Sequence, residues 1–390
     1  MLFSLALIII IGFSLSGFFV KLKLPGLLGM ILTGIFLGPY VFNLISSDIL
    51  HLSPDLREIA LIVILLRAGL SIDLNDLKKV GRPALLMCFV PATFEIIAIT
   101  LLAPLFFSIS YLEAALMGTV LAAVSPAVVV PRMIHLIESN YGKKNSIPHI
   151  IMAGASVDDI FVIVLFTSFM SMTQGSSFSV WKILSIPISI ILGFGIGYVV
   201  GLILVRLFKL FHLRDTAKVL LIISTAFLLI TLETWMKPFV AISGFLAIMA
   251  LGISILKNYT HLATRLKGKF SKIWVGAEIL LFVLVGASVD IRYLPQAGFY
   301  AVLLIVLALV FRMLGVATSL LGTHLTLKER LFCAIAYLPK ATVQAAIGSL
   351  PLAAGLSSGN LILTVAVVAI VLTAPLGAIG IDLSYKKLLD

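Results

Sequence analysis

The stretch IPHIIMAGASVDDIFVIVLFTSFM, residues 147–170, reads as a membrane-spanning helix that carries two adjacent aspartates, Asp158 and Asp159, near its middle. About 15 Å of helix separates Pro148 from the pair, at about 1.5 Å per residue. That distance is half of a hydrocarbon core about 30 Å thick. The two carboxylates are therefore expected near the bilayer midplane. One charge there costs about 2.5–3.5 kcal/mol, so such residues usually face a cavity and bind or carry an ion.

The composition supports a membrane-embedded chain. Of the 390 residues, 61% are hydrophobic and only 12% are charged, a balance that a soluble protein of this size could not bury. No polar stretch is long enough to fold separately, so residues 1–390 are predicted to form a single integral membrane domain. The first apolar run, 2–20, lacks a basic leader and a small-residue cleavage site and is interpreted as a retained helix. Cys88 and Cys333 lie in apolar segments, so a structural disulfide is not expected.

Thirteen apolar segments follow one another and predict an all-α polytopic membrane protein. They cover residues 2–20, 24–43, 56–72, 83–108, 111–137, 148–173, 180–208, 217–235, 238–256, 273–290, 296–321, 327–355 and 359–380. Twenty-one lysines and arginines lie at or after the ends of odd-numbered segments, against four after even-numbered ones. The positive-inside rule then predicts an N-terminus outside and a cytoplasmic C-terminus. The same asymmetry explains the net charge of +11, so no nucleic-acid partner is predicted.

An internal repeat relates the two halves of the chain. GLSIDLNDLKKVG at 69–81 and GASVDIRYLPQAG at 286–298 share five residues at an offset of 217. The matched segments are seven apart, an odd number, so the two copies run in opposite directions. We predict a first repeat over 1–173, a linker helix over 180–208 and an inverted second repeat over 217–383. Secondary transporters are often built in this way, with broken helices at the midplane.

Prolines interrupt two of the apolar segments. Segment five contains SPAVVVP, with Pro126 and Pro131, and segment twelve contains LPKATVQ, with Pro339. A proline removes a backbone donor and frees a carbonyl one turn earlier, and in lipid such groups need a partner from protein, water or an ion. Prolines also kink ordinary transmembrane helices. Because both interruptions fall in repeat-equivalent segments, we predict two broken helices that contribute to an ion site.

Six ionisable residues lie deepest within the predicted spans: Arg67, Glu95, Asp158, Asp159, Arg312 and Lys340. Three are acidic and three basic, so the set can neutralise itself. The repeat offset of 217 takes Glu95 to Arg312, which places opposite charges at equivalent depths. We predict an ion pair between these two, with Lys340 and Arg67 as further structural or coupling charges. A protonated Glu95, or a separate partner for each residue, is the alternative.

The aspartate pair predicts competition between a proton and a cation. Neighbouring helical residues point about 100° apart, so one aspartate can face a water-filled pathway while the other faces neighbouring helices. A carboxylate in a partly dry cavity holds either a proton or a cation, because the empty ionised form is disfavoured. Hard cations take oxygen ligands, here from Asp158 and Asp159, from the hydroxyls of Ser125, Ser156 and Thr342, and from the carbonyls freed near Ser125. Exchange of Na⁺ or Li⁺ for H⁺ is the predicted chemistry. A purely structural pairing with the buried cations is the alternative.

Four strings resemble the sodium/proton antiporter domain of the monovalent cation:proton antiporter superfamily, most strongly the branch that includes the animal sodium/hydrogen exchangers of subfamily B. They are AVSPAVVVP (123–131), GASVDDI (154–160), LLRAGLSIDL (65–74) and YLPKATVQAAIG (337–348). The resemblance implies a homodimer in which a six-helix core slides against a dimerisation domain by alternating access. It also implies that segments five and twelve are unwound and cross each other beside the aspartates. By the same resemblance, Asp159 is the principal ion and proton carrier and Asp158 its neighbour.

Two positions depart from the family pattern. Better-known bacterial relatives have a lysine where Arg312 stands, and some have a threonine–aspartate pair where this chain has Ser125 and Pro126. An arginine cannot release a proton in the cycle, so we expect electroneutral exchange of one cation for one proton. The expected location is a bacterial plasma membrane, and no long cytoplasmic tail is expected.

Other functions fit the sequence less well. A potassium/proton antiporter or a sodium-coupled solute transporter keeps the same fold and stays open. A channel or sensor is disfavoured. An intramembrane aspartyl protease needs its two aspartates on separate helices, whereas these adjoin, so the chain is not expected to be an enzyme. No cofactor is predicted beyond the transported Na⁺ or Li⁺ and H⁺, and the predicted partners are lipid, monovalent cations and a second copy of the chain.

Overall fold

The computed structural model describes residues 1–71, 81–173, 180–211, 213–236, 240 and 242–390, without the side chains of 156, 180–187 and 293–297. In these ranges the regular structure is helical, and helices occupy all thirteen apolar segments. Nine helical spans in the described part are long and apolar enough to cross a membrane. The all-α membrane fold is therefore confirmed, whereas the count of thirteen crossings stays a prediction.

Seventeen α-helices are defined over the described residues. They are α1 Leu2–Lys21, α2 Gly26–Leu37, α3 Ser47–Gly69, α4 Arg82–Met87, α5 Val90–Phe106, α6 Tyr111–Ala122, α7 Pro126–Glu138, α8 Ile147–Thr173, α9 Val180–Leu210, α10 Asp215–Met236, α11 Gly244–Asn258, α12 Thr260–Ala287, α13 Leu294–Ser319, α14 Leu327–Ala336, α15 Thr342–Ile347, α16 Leu350–Ala353 and α17 Gly359–Leu388.

The chain divides into two compact units. The first comprises Met1–Pro54, Asp73–Val162 and Ile279–Asp390, and the second comprises Asp55–Ile72 and Ile163–Glu278. The first unit holds both proline-interrupted segments and the aspartate pair. The predicted division into a first repeat, a linker and a second repeat is a separate matter, and it stays a prediction.

Segments five and twelve are each broken into shorter helices. Segment five becomes α6 and α7, and segment twelve becomes α14, α15 and α16. Pro126 is the first residue of α7, where its missing N–H would have no helical partner in any case. The prediction that Pro131 also breaks the helix is wrong, because α7 continues through it. One proline removes a single donor, and transmembrane helices tolerate that loss.

Helix α12 begins earlier than its apolar segment suggests. It starts at Thr260, whereas the apolar segment starts at 273. The added turns are amphipathic: Leu262, Leu266 and Phe270 are buried, while Lys267 and Lys269 are exposed. A hydropathy pattern assigns such cation-rich turns to a loop, although their apolar stripe packs as a helix.

Repeat-related glycines occupy matching positions in the two units. In the second unit, a Cβ on Gly69 of α3 would lie 3.1 Å from the Cα of Gly252 in α11. In the first unit, a Cβ on Gly286 of α12 would lie 3.2 Å from the Cα of Gly34 in α2. A Cβ at either glycine would also overlap a backbone carbonyl of the facing helix, that of Met249 for Gly69 and that of Ile31 for Gly286, so neither position has room for a side chain. An inverted repeat predicts this symmetry, since Gly286 is the repeat counterpart of Gly69. Most of the motif at 69–81 lies outside the described residues.

Candidate ion-binding site

The two helix breaks cross in the first unit. Helix α6 ends at Ala122, and residues 123–125 run extended to the start of α7. Helix α14 ends at Ala336, and α15 begins at Thr342. The Ser125 N–H donates to the Pro339 carbonyl over 2.8 Å. This hydrogen bond joins the two interrupted backbones directly. It gives a partner to one backbone N–H of the first break and to one backbone carbonyl of the second.

Two glycines make room for this crossing. A Cβ on Gly377 of α17 would overlap the ring of Pro339. A Cβ on Gly154 of α8 would overlap the hydroxyl oxygen of Tyr337, which donates to the Met87 carbonyl over 3.3 Å. Gly154 lies one turn before Asp158 on the same helix. Close packing therefore fixes the second break against the aspartate-bearing helix.

Arg312 of α13 contacts four different segments of the first unit. Its Nη1 donates to Glu95 Oε2 over 2.7 Å and also to the Ala122 carbonyl. Its Nε donates to the Tyr337 carbonyl over 2.7 Å, and its Nη2 donates to Asp158 Oδ2 over 3.1 Å. The predicted pairing of Glu95 with Arg312 is thus present in the structure. A planar guanidinium suits this role because its donors point in fixed, divergent directions.

Lys340 approaches Glu95 from the second break. Its Nζ lies 2.7 Å from Glu95 Oε1 and 2.8 Å from Oε2, and it donates to the Leu121 carbonyl over 2.6 Å. The Lys340 N–H donates to the Thr373 hydroxyl over 3.0 Å. Sequence reasoning placed Lys340 among the coupling charges without identifying this partner.

Charged side chains match the dipoles of the half-helices at the first break. The last carbonyls of α6, those of Leu121 and Ala122, accept from Lys340 and Arg312. Cations stabilise a helix C-terminus, whose carbonyls carry partial negative charge. Just before α7 begins, the Val124 N–H donates to Asp158 Oδ2 over 2.8 Å. An anion stabilises a helix N-terminus by the same argument.

Asp158 and Asp159 differ in surroundings. Asp158 is fully buried, and its Oδ2 is held by Val124 and Arg312. Asp159 is partly exposed, and its buried Oδ1 has no hydrogen-bond partner. Within the described residues no ion pair reaches Asp159. The two carboxylates face different environments, as their angular separation on the helix requires.

Several oxygen atoms around the break also lack partners. Ser125 Oγ, Thr342 Oγ1 and Asp158 Oδ1 are buried without a hydrogen bond in the described part of the chain. Buried polar atoms normally have partners, so unpartnered oxygens in one region are suited to an incoming ion. The freed carbonyls, by contrast, already accept from cationic and amide side chains. The side chain of Ser156 lies outside the description.

Sequence reasoning missed Gln344. Its Nε2 donates to the Ala123 carbonyl over 2.8 Å and to the Leu121 carbonyl over 3.2 Å, and its buried Oε1 has no partner. The available signal was its place five residues after Pro339, inside an otherwise apolar run. Arg67 belongs to the second unit, where it interacts electrostatically with Glu278.

The buried charges sum to zero when Asp159 is set aside. Glu95 and Asp158 carry two negative charges, and Arg312 and Lys340 carry two positive ones; we call these four residues the buried charge quartet. All four are at most 1% exposed. The described part of the chain contains no cluster of three or more His, Cys, Asp or Glu side chains that could hold a metal ion. Asp159 therefore stands beside a neutral cluster as an additional, uncompensated carboxylate.

Comparison with known proteins yields consistent similarities. A family described as "Sodium/hydrogen exchanger, transmembrane" matches residues 4–383. The human sodium/hydrogen exchangers 9B2 and 9B1 are each 32% identical to this chain, and the alignments cover 94% of it and 70% and 73% of those proteins. The structure of the sodium proton antiporter MjNhaP1 from Methanocaldococcus jannaschii superposes with a TM-score of 0.83 at 20% identity, covering 98% of this chain and 97% of that one. The likeness in structure confirms the fold.

Proposed function

This chain belongs to the sodium/hydrogen exchanger family, and from that premise we propose that Asp159 is the carboxylate on which Na⁺ and H⁺ compete. The protein is an integral membrane antiporter that exchanges Na⁺ for H⁺, and the family is one of transporters. The assignment of roles to individual residues rests on the geometry of the first unit.

One observation carries the proposal: Asp159 is not part of the neutral quartet. If the site is empty and Asp159 is ionised, one negative charge remains uncompensated in partly dry surroundings, which is unfavourable. Binding either one proton or one monovalent cation removes that charge. The two ligands therefore exclude each other, and this exclusion is sufficient for exchange.

Oxygen ligands for Na⁺ or Li⁺ are available beside Asp159. They are the second oxygen of Asp158 and the hydroxyls of Ser125 and Thr342, all without hydrogen-bond partners in the described residues. Small monovalent cations prefer such hard oxygen donors, as Mg²⁺ and Ca²⁺ do. Thr342 and Ser125 flank the two breaks, so a movement of either break would change the coordination.

The quartet also supports a stoichiometry of one cation for one proton. Arg312 keeps its proton at any physiological pH, and Asp158 and Glu95 are held by cations. Asp159 is then the principal exchangeable site. Exchange of one positive charge for another moves no net charge, so transport is expected to be electroneutral.

Assembly and placement are proposed from the family resemblance and from the charge distribution, and not from the ion site. We expect a homodimer that works by alternating access in a bacterial plasma membrane, with the N-terminus outside. The asymmetric distribution of lysine and arginine supports this orientation.

The test is proton flux in liposomes that hold the purified protein and a pH-sensitive dye. Addition of Na⁺ or Li⁺ to one side should drive saturable proton movement, and K⁺ at the same concentration should not. A response to K⁺ that matches Na⁺ would favour a potassium/proton antiporter instead. Repeating the Na⁺ arm with the potential fixed by potassium and valinomycin should leave rate and endpoint unchanged. A steep dependence on potential would reject the one-for-one stoichiometry and leave Na⁺/H⁺ exchange intact.

A further inference from the structure

A cavity of about 410 Å³ lies at one end of the first unit. It is lined by the start of α4, the start of α8 and the connection between α13 and α14. Among the described residues of α8, Ile150 lines the cavity, and it precedes Asp158 by about 12 Å of helix. The cavity is thus distinct from the ion site, although it touches segments that lead to Glu95, Asp159 and Arg312.

Three basic side chains, those of Arg82, Lys144 and His324, line this cavity, and none of its described lining residues is an aspartate or glutamate. All three are exposed, and within the described residues none of them takes part in a hydrogen bond or an ion pair. Unpaired lysine and arginine side chains that converge on one concave surface create a positive potential. The hydroxyls of Ser319 and Thr323 in the lining donate to carbonyls of their own turns, so the basic side chains are the groups that face a ligand.

Hydrogen bonds fix the walls of the cavity. Asn145 Nδ2 donates to Glu329 Oε1 over 2.8 Å, which ties the start of α8 to the start of α14. Arg330 donates to the carbonyls of Leu325 and Thr323 over 3.1 and 3.2 Å. Gly322 has a φ of +72°, a conformation that glycine adopts without strain. The cavity is therefore preformed, which lowers the entropic penalty of binding.

We propose that this cavity binds a phosphomonoester anion. A doubly charged phosphate group matches the basic side chains of Arg82, Lys144 and His324, and charge-assisted hydrogen bonds to arginine are the strongest available. The volume falls in the range typical of small-molecule sites, about 300–1,000 Å³. It accommodates a phosphorylated headgroup or sugar as well as the phosphate itself. The cations of this end lie on the side predicted to be cytoplasmic, where both free phosphates and phosphorylated lipids occur.

Thermal unfolding of the full-length chain in detergent tests the site. Sodium phosphate is compared with sodium chloride at equal Na⁺, with choline chloride added to equalise the ionic strength. Mixed micelles with phosphatidylinositol 4-phosphate are compared with micelles that contain phosphatidylinositol. At saturation, a ligand of the native state should raise the midpoint by roughly 2–4 °C. A response to inorganic phosphate identifies a soluble ligand, and a response to the phosphorylated lipid alone identifies a headgroup.

Two matched variants locate the effect. In R82Q/K144Q/H324Q the rise should fall by at least half, whereas K267Q/K269Q/K272Q, which removes three exposed cations of α12, should keep it. The single variant K144E should also lose the rise, and it serves if the triple variant does not fold. Absence of a rise with both phosphate sources would overturn the proposal. An equal rise in all variants, or an equal loss in both triple variants, would overturn it as well.

Discussion

Asp158 and Asp159 are neighbours on one helix, yet only the carboxylate of Asp158 is paired with a cation among the described residues. Asp158 belongs to the buried charge quartet, where Arg312 and the Val124 N–H satisfy one of its oxygens. Asp159 has no ion pair among the described residues and is partly exposed. A membrane interior tolerates charge when it is compensated within the protein. From this comparison we propose that Asp159 carries the exchanged ion, and that Asp158 holds the break in place and offers its free oxygen as a further ligand.

The largest expected effect is on exchange in Asp159→Asn. An amide cannot alternate between a proton and a cation, so Na⁺-driven proton flux in liposomes should fall by at least about 100-fold, consistent with loss of an essential group. The fold should persist, since Asp159 supports no pair in the described structure. Asp48→Asn, which neutralises an exposed aspartate of the same unit, is the control and should retain full flux. Substantial flux in D159N would transfer the carrier role to another group.

The second-largest expected effect is a loss of folding stability when a charged residue of the buried charge quartet is neutralised. Glu95→Gln and Arg312→Gln each leave a buried charge without its partner, a loss of about 3–5 kcal/mol. The double variant keeps Asp158 and Lys340 as one negative and one positive charge, so part of the loss should be recovered. Thermal unfolding in detergent gives the comparison as a double-mutant cycle. Strictly additive losses would show that the two side chains do not interact.

Asp158→Asn should have an intermediate effect. The amide oxygen can still accept from the Val124 N–H, but the negative charge that faces Arg312 is lost. This loss should lower the free energy of unfolding by about 1.5–3 kcal/mol. Exchange should decrease while some activity persists, in contrast to D159N. Flux and unfolding temperature measured on the same preparation separate the two contributions. If D158N has normal stability and no exchange, the division between a structural and a transporting aspartate is incorrect.

The smallest expected effect is the loss of stability on replacement of Gln344. This residue is not part of the buried charge quartet, but it donates hydrogen bonds to the first break. Gln344→Leu removes donors to the carbonyls of Leu121 and Ala123, and the loss should be about 1–3 kcal/mol. Gln344→Glu keeps the shape but adds a buried negative charge, and it should be the less stable of the two. Equal unfolding temperatures for wild type and Q344L would show that Gln344 does not support the break.

Sequence patterns predicted the elements well because a bilayer leaves few alternatives. Apolar runs must be helices in lipid, and each predicted run contains one. The repeat offset predicted the contact between Glu95 and Arg312, because equivalent positions of the two predicted inverted copies would lie at similar depths. Pro126 and Pro339 correctly predicted the two breaks. A proline at a helix start or in a connection leaves no helical hydrogen bond unmade, because the N–H at such a position has no helical acceptor.

Other features depend on packing that no local pattern records. Pro131 looks like Pro126 in the sequence, but only the fold decides which proline falls within a helix. The contacts of Lys340 with Glu95 and of Gln344 with Ala123 join residues separated by more than 200 positions. The cation-bearing turns of α12 depend on an apolar stripe that a hydropathy average conceals. Sequence thus identified the charged residues, whereas the structure supplied their pairing.

The four contacts of Arg312 also bear on how the protein is assembled. Helix α13 carries the fixed positive charge of Arg312 into the bilayer. If the helix inserted alone, that charge would make insertion less favourable by about 2.5–3.5 kcal/mol. Glu95, Asp158 and the carbonyls of Ala122 and Tyr337 neutralise it only after their own segments have inserted. The segments with Glu95, Ala122 and Asp158 leave the ribosome before α13, and only the segment with Tyr337 follows it, so both compensating carboxylates are already in the chain when Arg312 is synthesised. Retention of α13 in the membrane should therefore depend on the upstream helices, and a fragment that lacks α5 and α8 should retain it poorly.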